Sequence, residues 1–119
     1  MSNNIDLKKK LSALNKESSL RDLQAYVHDM VQARGFDKDE NLSKKMLLIT
    51  EEVGELAQAI RKREGLSIDM NADYNTNTEN EMADVLILLL GLANLCDIDL
   101  TDAFIAKEEL NQKRTWGKP

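Results

Sequence analysis

Four carboxylates interrupt the apolar pattern of two predicted helices, and this limits what the chain can fold into. They occur as two short motifs, Glu52-x-x-Glu55 and Glu81-x-x-Asp84. A three-residue step leaves two side chains about 60° apart on one helix face, so each motif presents a pair of oxygen ligands. Four carboxylates at close range repel one another unless a cation lies among them. We therefore expect the two helices to meet around a divalent ion.

The position of Glu52 on its predicted helix, residues 42 to 64, supports this interpretation. The apolar residues share one broad arc of the helical wheel: Leu48, Ile49, Val53, Leu56, Ala59 and Ile60. Glu52 falls inside that arc, Glu55 lies at its margin, and Glu51 is one step further toward solvent. An ionised carboxylate at an inward position needs a cation, a proton or a basic partner. The alternative is that Glu51 and Glu55 form surface pairs with the basic end of the helix, including Lys62.

The second motif leads into the apolar run 85 to 90, so Asp84 is predicted to face the core as Glu52 does. Its alternative role is a first-turn acid stabilised by the helix dipole. Thr78 and Glu81 also match a capping box, which would turn the Glu81 carboxylate back toward the helix start. The interpretation as a metal site requires both motifs to face inward.

The composition favours a single all-α domain over residues 1 to 119. The chain has one proline, five glycines and only 4% aromatic residues, and good helix formers dominate it. Residues 1 to 18 are predicted to form a weak amphipathic helix or a loosely ordered arm, and residues 65 to 77 a long loop that could act as a lid. Apolar periodicity predicts four further helices, at residues 20 to 34, 42 to 64, 78 to 95 and 101 to 115.

The third of these helices is apolar nearly all round from Val85 to Cys96, so it must be covered on every side. We expect a homodimer or homotetramer with this helix at its centre.

The apolar run of residues 85 to 96 is too short for a membrane span, and residues 1 to 10 lack an apolar signal core, which predicts a cytoplasmic protein with no membrane partner. Cys96 is the single cysteine, so it is expected to be a small buried hydrophobe.

The net charge of −5 excludes the broad basic surface that DNA or RNA binding requires, so no nucleic-acid polymer is expected as a partner. An acidic protein can still act on phosphates when a divalent cation reverses the local charge. Hard oxygen ligands suit Mg²⁺, with Mn²⁺ as a possible substitute.

His28 is expected to be structural. Tyr26, Phe36, Tyr74 and Trp116 are too few and too scattered to identify a base-stacking platform.

Three segments resemble the MazG-like all-α nucleotide pyrophosphohydrolases, over roughly residues 20 to 116. They are residues 48 to 57, residues 81 to 87, and the trio Lys107, Asn111 and Arg114. The resemblance implies a four- to five-helix bundle, metal ligands at the four acidic positions, and a trio that contacts phosphate. Spacings of four and three place the trio on one helix face, although such a face is often merely solvated. The sequence departs from members of this family that offer tryptophan to the base, which leaves base selectivity open.

The activity that the resemblance implies is Mg²⁺-dependent hydrolysis of a (deoxy)nucleoside triphosphate to the monophosphate and pyrophosphate, a reaction that would serve to clean the nucleotide pool. The metal would activate water, so no serine, cysteine or histidine nucleophile is needed. Glu51 is the candidate to position or deprotonate that water. Three alternatives stay open: a phosphoribosyl-ATP pyrophosphohydrolase, a dUTP or dCTP pyrophosphatase, and a non-enzymatic helical oligomerisation or adaptor module.

Overall fold

A computed structural model of the chain describes residues 6–39, 41–65 and 77–115, and all regular structure in these ranges is helical. The helices are α1 (Leu7–Ser12), α2 (Leu20–Ala33), α3 (Leu42–Arg63), α4 (Thr78–Leu95) and α5 (Leu100–Gln112), with one 3-10 turn at Phe36–Asp39. The all-α prediction is confirmed. Most of the predicted lid (residues 66–76) and residues 116–119 lie outside the described residues.

Each helix begins at a polar side chain that accepts a hydrogen bond from a backbone N–H of the first turn. These N-caps are Asp6, Ser19, Asn41, Asn77 and Asp99. The Asn77 side chain accepts from the N–H of Asn80, and Thr78 is already the first helical residue of α4. The alternative role of Glu81, in a capping box with Thr78, is therefore excluded, because the cap lies one residue earlier.

Helices α3 and α4 pack against each other, and α2 covers one side of α4. Lys45 of α3 lies beside Gly91 of α4, whereas Glu52, further along α3, lies beside Glu81, which precedes Gly91. The two helices therefore run antiparallel. The buried cluster between α2 and α4 consists of Val27, Met30, Val31 and Leu90.

A hydrogen-bonded latch joins α2 to the turn between α4 and α5. The buried Gln24 donates from Nε2 to Asn94 Oδ1 at 3.0 Å and to the Ile98 carbonyl at 2.6 Å. Gln24 Oε1 accepts from the backbone N–H of Leu100 at 3.1 Å, and Asn94 Nδ2 donates to the Gln24 carbonyl at 3.0 Å. The latch fixes where α5 begins relative to α2.

Much of the apolar surface of α3, α4 and α5 is uncovered in the single chain. The accessible surface is 9534 Å², whereas a compact monomer of this mass exposes about 6,500 Å². The radius of gyration is 17.7 Å, against about 13.5 Å for a compact chain of this length. Exposed apolar side chains on these helices include Met46, Leu47, Val53, Met82, Leu86, Ile87, Leu89, Phe104, Ile105 and Leu110. Coverage by a second chain stays a prediction.

The structure also shows the exposure of Cys96 and of His28. Cys96 is exposed, because it is the C-cap of α4 and lies beyond its last buried turn; its predicted burial was wrong. His28 is exposed, with its Nδ1 3.6 Å from Oδ1 of Asp29, and its structural role stays a prediction. None of the helices that the structure describes is long and apolar enough to cross a membrane.

Candidate metal centre and the adjoining cavity

The inward face of α3 is a line of residues spaced four and three apart, and Glu52 stands in the middle of it. The line consists of Lys45, Ile49, Glu52, Leu56 and Ala59, all buried or half-buried. Helix α4 has a corresponding line made of Thr78, Glu81, Val85 and Leu88. Since the two lines occur on helices that pack together, one carboxylate from each motif enters the contact between them.

Carboxylate oxygens of Glu52, Glu55 and Glu81 all lie within 4.8 Å of one another. One oxygen of Glu52 and one of Glu81, Oε2 in each case, is shielded from solvent and has no hydrogen-bond partner among the described residues. Buried polar atoms are nearly always paired, so two such orphans from facing helices are an unusual arrangement. They mark a position where a ligand of positive charge would fit.

The electrostatics of Glu52 support the same conclusion. Desolvation raises the pKa of Glu52 above its ordinary value of 4.5, and the negative charges of Glu55, Asp84 and Glu81 raise it further. A hydrogen bond between the Glu52 and Glu55 side chains contributes in the same direction. Each charged group that acts on Glu52 in this way is a carboxylate. The set of donors is therefore all oxygen and all anionic, which is the ligand chemistry that Mg²⁺ and Mn²⁺ prefer.

Asp84 lies at the edge of this cluster. Its side chain is exposed, and its oxygens fall outside the 4.8 Å group although its charge acts on Glu52. The prediction that Asp84 faces the core was wrong, because Glu81 and Val85 occupy the inward positions of that turn. Each motif thus supplies one half-buried carboxylate, Glu52 or Glu81, and one exposed carboxylate beside it.

The remaining predicted residues lie around or away from the cluster. Glu51 is exposed on the turn that carries Glu52. Lys107 and Arg114 are exposed, while Asn111 is half-buried and its Nδ2 donates to Glu108 Oε2 at 3.3 Å. Helix α5, which carries Lys107 and Asn111, has α2 as its main packing partner, whereas the carboxylates lie on α3 and α4. The structure of one chain does not group the trio with the carboxylates.

A cavity of about 290 Å³ lies where the start of α3, α4 and the 3-10 turn meet. The side chains that line it are Phe36, Asn41, Lys44, Lys45, Leu48 and Leu88. Leu48 lies four residues before Glu52 and Leu88 four residues after Asp84, so the cavity wall begins about 6 Å along each helix from these two carboxylates. Local sequence patterns do not predict this cavity, because Phe36 lies in the connection before α3 and not on a helix with the other lining residues.

Comparison with known proteins identifies relatives of the chain. Residues 40–115 match the model of the MazG nucleotide pyrophosphohydrolase domain. The chain is 37% identical over 70 residues to a dATP/dGTP diphosphohydrolase of Cyanophage S-2L, covering 59% of this chain and 53% of that protein. It is 28% identical over 101 residues to dCTP pyrophosphatase 1 of Mus musculus, covering 82% and 59% respectively. The chain thus spans little more than half the length of these two relatives.

The solved structures include a MazG-like pyrophosphohydrolase of Cyanophage S-2L bound to dGDP and three catalytic Mn²⁺ ions per active site. Its TM-score is 0.62 at 28% identity, and the match covers 88% of this chain and 89% of that one. The family match takes in all four carboxylates and the trio on and beyond α5. On this evidence of sequence and fold, the chain belongs to the MazG nucleotide pyrophosphohydrolase family.

Proposed function

We propose that the chain is a Mg²⁺-dependent hydrolase that converts a (deoxy)nucleoside triphosphate to the monophosphate and pyrophosphate. The observation that carries this proposal is the pair of shielded, unpartnered oxygens on Glu52 and Glu81, held together on facing helices. The family match and the names of the two relatives, a dATP/dGTP diphosphohydrolase and a dCTP pyrophosphatase, support the same reaction class. Nucleotide-pool cleaning is a role that such a reaction would serve.

Glu52, Glu55 and Glu81 would hold the cation, with Asp84 completing the set from the edge of the cluster. A bound divalent ion would neutralise phosphate charge and lower the pKa of the attacking water. Glu51, exposed beside the cluster, is the candidate to orient that water and accept its proton. Lys107, Asn111 and Arg114 would donate hydrogen bonds to phosphate oxygens.

A second copy of the chain would complete the site in this proposal. The uncovered apolar side chains of α3 and α4 lie on the helices that carry the carboxylates, and their burial would hold two chains together. A homodimer or homotetramer could also bring the trio of one chain toward carboxylates of another.

The test is a panel of ribo- and deoxynucleoside triphosphates with Mg²⁺ and detection of released pyrophosphate. Substitution Glu81→Gln should abolish release, whereas Glu79→Gln, an exposed carboxylate two residues away on α4, should leave it unchanged. Thermal melting provides an independent readout, because an ion that binds only the folded protein raises its Tm. No pyrophosphate from any nucleotide, together with no Mg²⁺-dependent rise in Tm, would contradict the proposal and favour the adaptor module.

A further inference from the structure

Helix α3 has a second line of uncharged residues that is exposed in the single chain. Its members are spaced three and four apart: Ser43, Met46, Thr50, Val53, Ala57 and Ile60. We call this line the α3 seam. The large side chains Met46, Val53 and Ile60 keep 47%, 47% and 37% of their surface accessible. Apolar residues that repeat at three and four positions are the pattern by which helices pair.

The α3 seam is separate from the face of α3 that contacts α4. At about 100° per residue, the seam lies roughly 100° around the helix from the inward line that includes Ile49, Glu52 and Leu56. A helix in a four-helix bundle packs against neighbours on two adjacent faces. Helix α4 is the neighbour on the first of these faces, and the seam is an open second face.

The distribution of charge favours an uncharged partner for the α3 seam. No seam residue is charged, although the same stretch of helix carries five charged side chains: Lys44, Lys45, Glu51, Glu52 and Glu55. The chain has a net charge of −5, so two copies repel each other unless they meet through uncharged faces. Thr50 Oγ1 donates to the Met46 carbonyl at 2.9 Å, so this hydroxyl is satisfied within the helix. A partner can therefore cover the middle of the seam without leaving the hydroxyl unpaired.

The order of side-chain sizes along the α3 seam matches its own reverse. Small residues occupy positions 43, 50 and 57, and large ones occupy positions 46, 53 and 60. If two α3 helices run antiparallel with position 50 of one beside position 53 of the other, position 46 lies beside 57 and position 43 beside 60. Every layer of the pair then combines a small with a large residue, as close packing requires. A twofold contact between identical chains needs such self-complementarity.

Gly54 fits the same antiparallel pair. It lies inside α3, where glycine is unfavourable, and a Cβ at this position would have no other atom within 4 Å in the single chain. In the antiparallel pair Gly54 flanks the seam next to Leu47 of the other helix, a side chain that is 66% exposed in one chain. The glycine would leave room for that leucine.

We propose that α3 of one copy pairs antiparallel with α3 of a second copy along the seam, with Met46 of each packed against Ala57 of the other. This contact specifies the second copy on which the proposed function draws. It leaves Glu52 and Glu55 uncovered, because they lie on other faces of α3. Sedimentation measures the contact without any hydrolysis, so failure of the pairing and failure of the hydrolase are distinguishable.

A double-substitution cycle on positions 46 and 57, followed by analytical ultracentrifugation, tests the pairing. Met46 and Ala57 are about 16 Å apart along one helix, so they cannot touch within a chain. Met46→Ala leaves a cavity and Ala57→Met overfills the same layer, so each should raise the dissociation constant of the dimer at least about tenfold. The double variant exchanges the two sizes and should return to within roughly threefold of wild type.

Gln58→Met is the matched control, because Gln58 is exposed next to Ala57 but outside the seam. Combined with Met46→Ala, it should give no recovery of the dimer. A Met46→Ala/Ala57→Met variant without recovery overturns the antiparallel register, and a wild-type protein that sediments as a monomer at micromolar concentration overturns the pairing. If a single variant unfolds during sedimentation, the cycle is measured by Tm, which depends on concentration in a dimer. Additive changes in Tm overturn the register equally.

Discussion

Two polar clusters lie inside this small bundle, and they differ in whether their hydrogen-bonding groups have partners. In the latch, Gln24 uses both its amide nitrogen and its oxygen, and Asn94 returns a hydrogen bond to the Gln24 backbone. In the acidic cluster, one oxygen of Glu52 and one of Glu81 have no partner among the described residues. A satisfied buried network supports the fold, whereas buried anions left without partners indicate a bound cation.

The largest effect is expected at the acidic cluster. Glu52→Gln keeps the size of the side chain and removes its charge, so hydrolysis should fall by at least about 100-fold, and the Mg²⁺-dependent rise in Tm should shrink. The metal-free variant should be no less stable than wild type, because it loses the repulsion among neighbouring carboxylates. Pyrophosphate release and thermal melting with and without Mg²⁺ measure both effects. A variant that hydrolyses at the wild-type rate would remove Glu52 from the site.

A substitution in the latch should lower the stability of the protein and leave its response to Mg²⁺ unchanged. Gln24→Ala leaves several buried groups without partners, so the free energy of unfolding should fall by about 2 kcal/mol. The rise in Tm caused by Mg²⁺ should be unchanged, because Gln24 lies on α2 and not among the carboxylates. Urea denaturation measures the loss, and Gln58→Ala, an exposed glutamine of α3, is the control with little expected effect. An altered Mg²⁺ response in Gln24→Ala would mean that the two clusters are coupled.

The stability of the metal-free protein should depend on pH through Glu52. Its folded pKa lies above the unfolded value of 4.5, so the folded state binds more protons across the interval between them. Stability should therefore fall as pH rises from 4.5 through the raised folded pKa. Thermal melting across this interval should show the fall in wild type and a smaller one in Glu52→Gln. Saturating Mg²⁺ should reverse the trend, because the ion binds the ionised carboxylates.

The smallest effect is expected at the exposed ion pair next to the latch. Arg21 Nε lies 2.6 Å from Asp99 Oδ2, and its hydrogen bond to Asp99 is the main cause of the lowered pKa of that carboxyl. Arg21→Met should reduce stability less than Gln24→Ala does, since exposed pairs contribute little. The pair stabilises the fold above the unfolded pKa of 3.8, and that contribution is lost as pH falls through the lower folded pKa. Melting temperatures of wild type and Arg21→Met, measured at increasing salt concentration, would test this contribution.

Local features of the sequence were sufficient to predict the helices and the inward position of Glu52. Periodicity placed α4 at residues 78 to 95, as the structure has it. Periodicity wrongly predicted that Asp84 faces the core and that Cys96 is buried. In a helix that is apolar on nearly all sides, the sequence does not show which face contacts its neighbours. The cap at Asn77 was missed, since Thr78 and Asn77 are both acceptable caps and only the backbone decides between them. The cavity depends on α3, α4 and the 3-10 turn together, so no single segment reveals it.

Lys45 and Glu52 both lie on α3, an uninterrupted helix of 22 residues. The separation between the cavity and the carboxylates is consequently set by the rise of the helix, about 1.5 Å per residue. One residue inserted between Leu48 and Glu52 would lengthen α3 by only about 1.5 Å. It would also rotate the helical residues after the insertion by about 100°. Such a change would turn Glu52 and Glu55 away from α4 while leaving α3 helical.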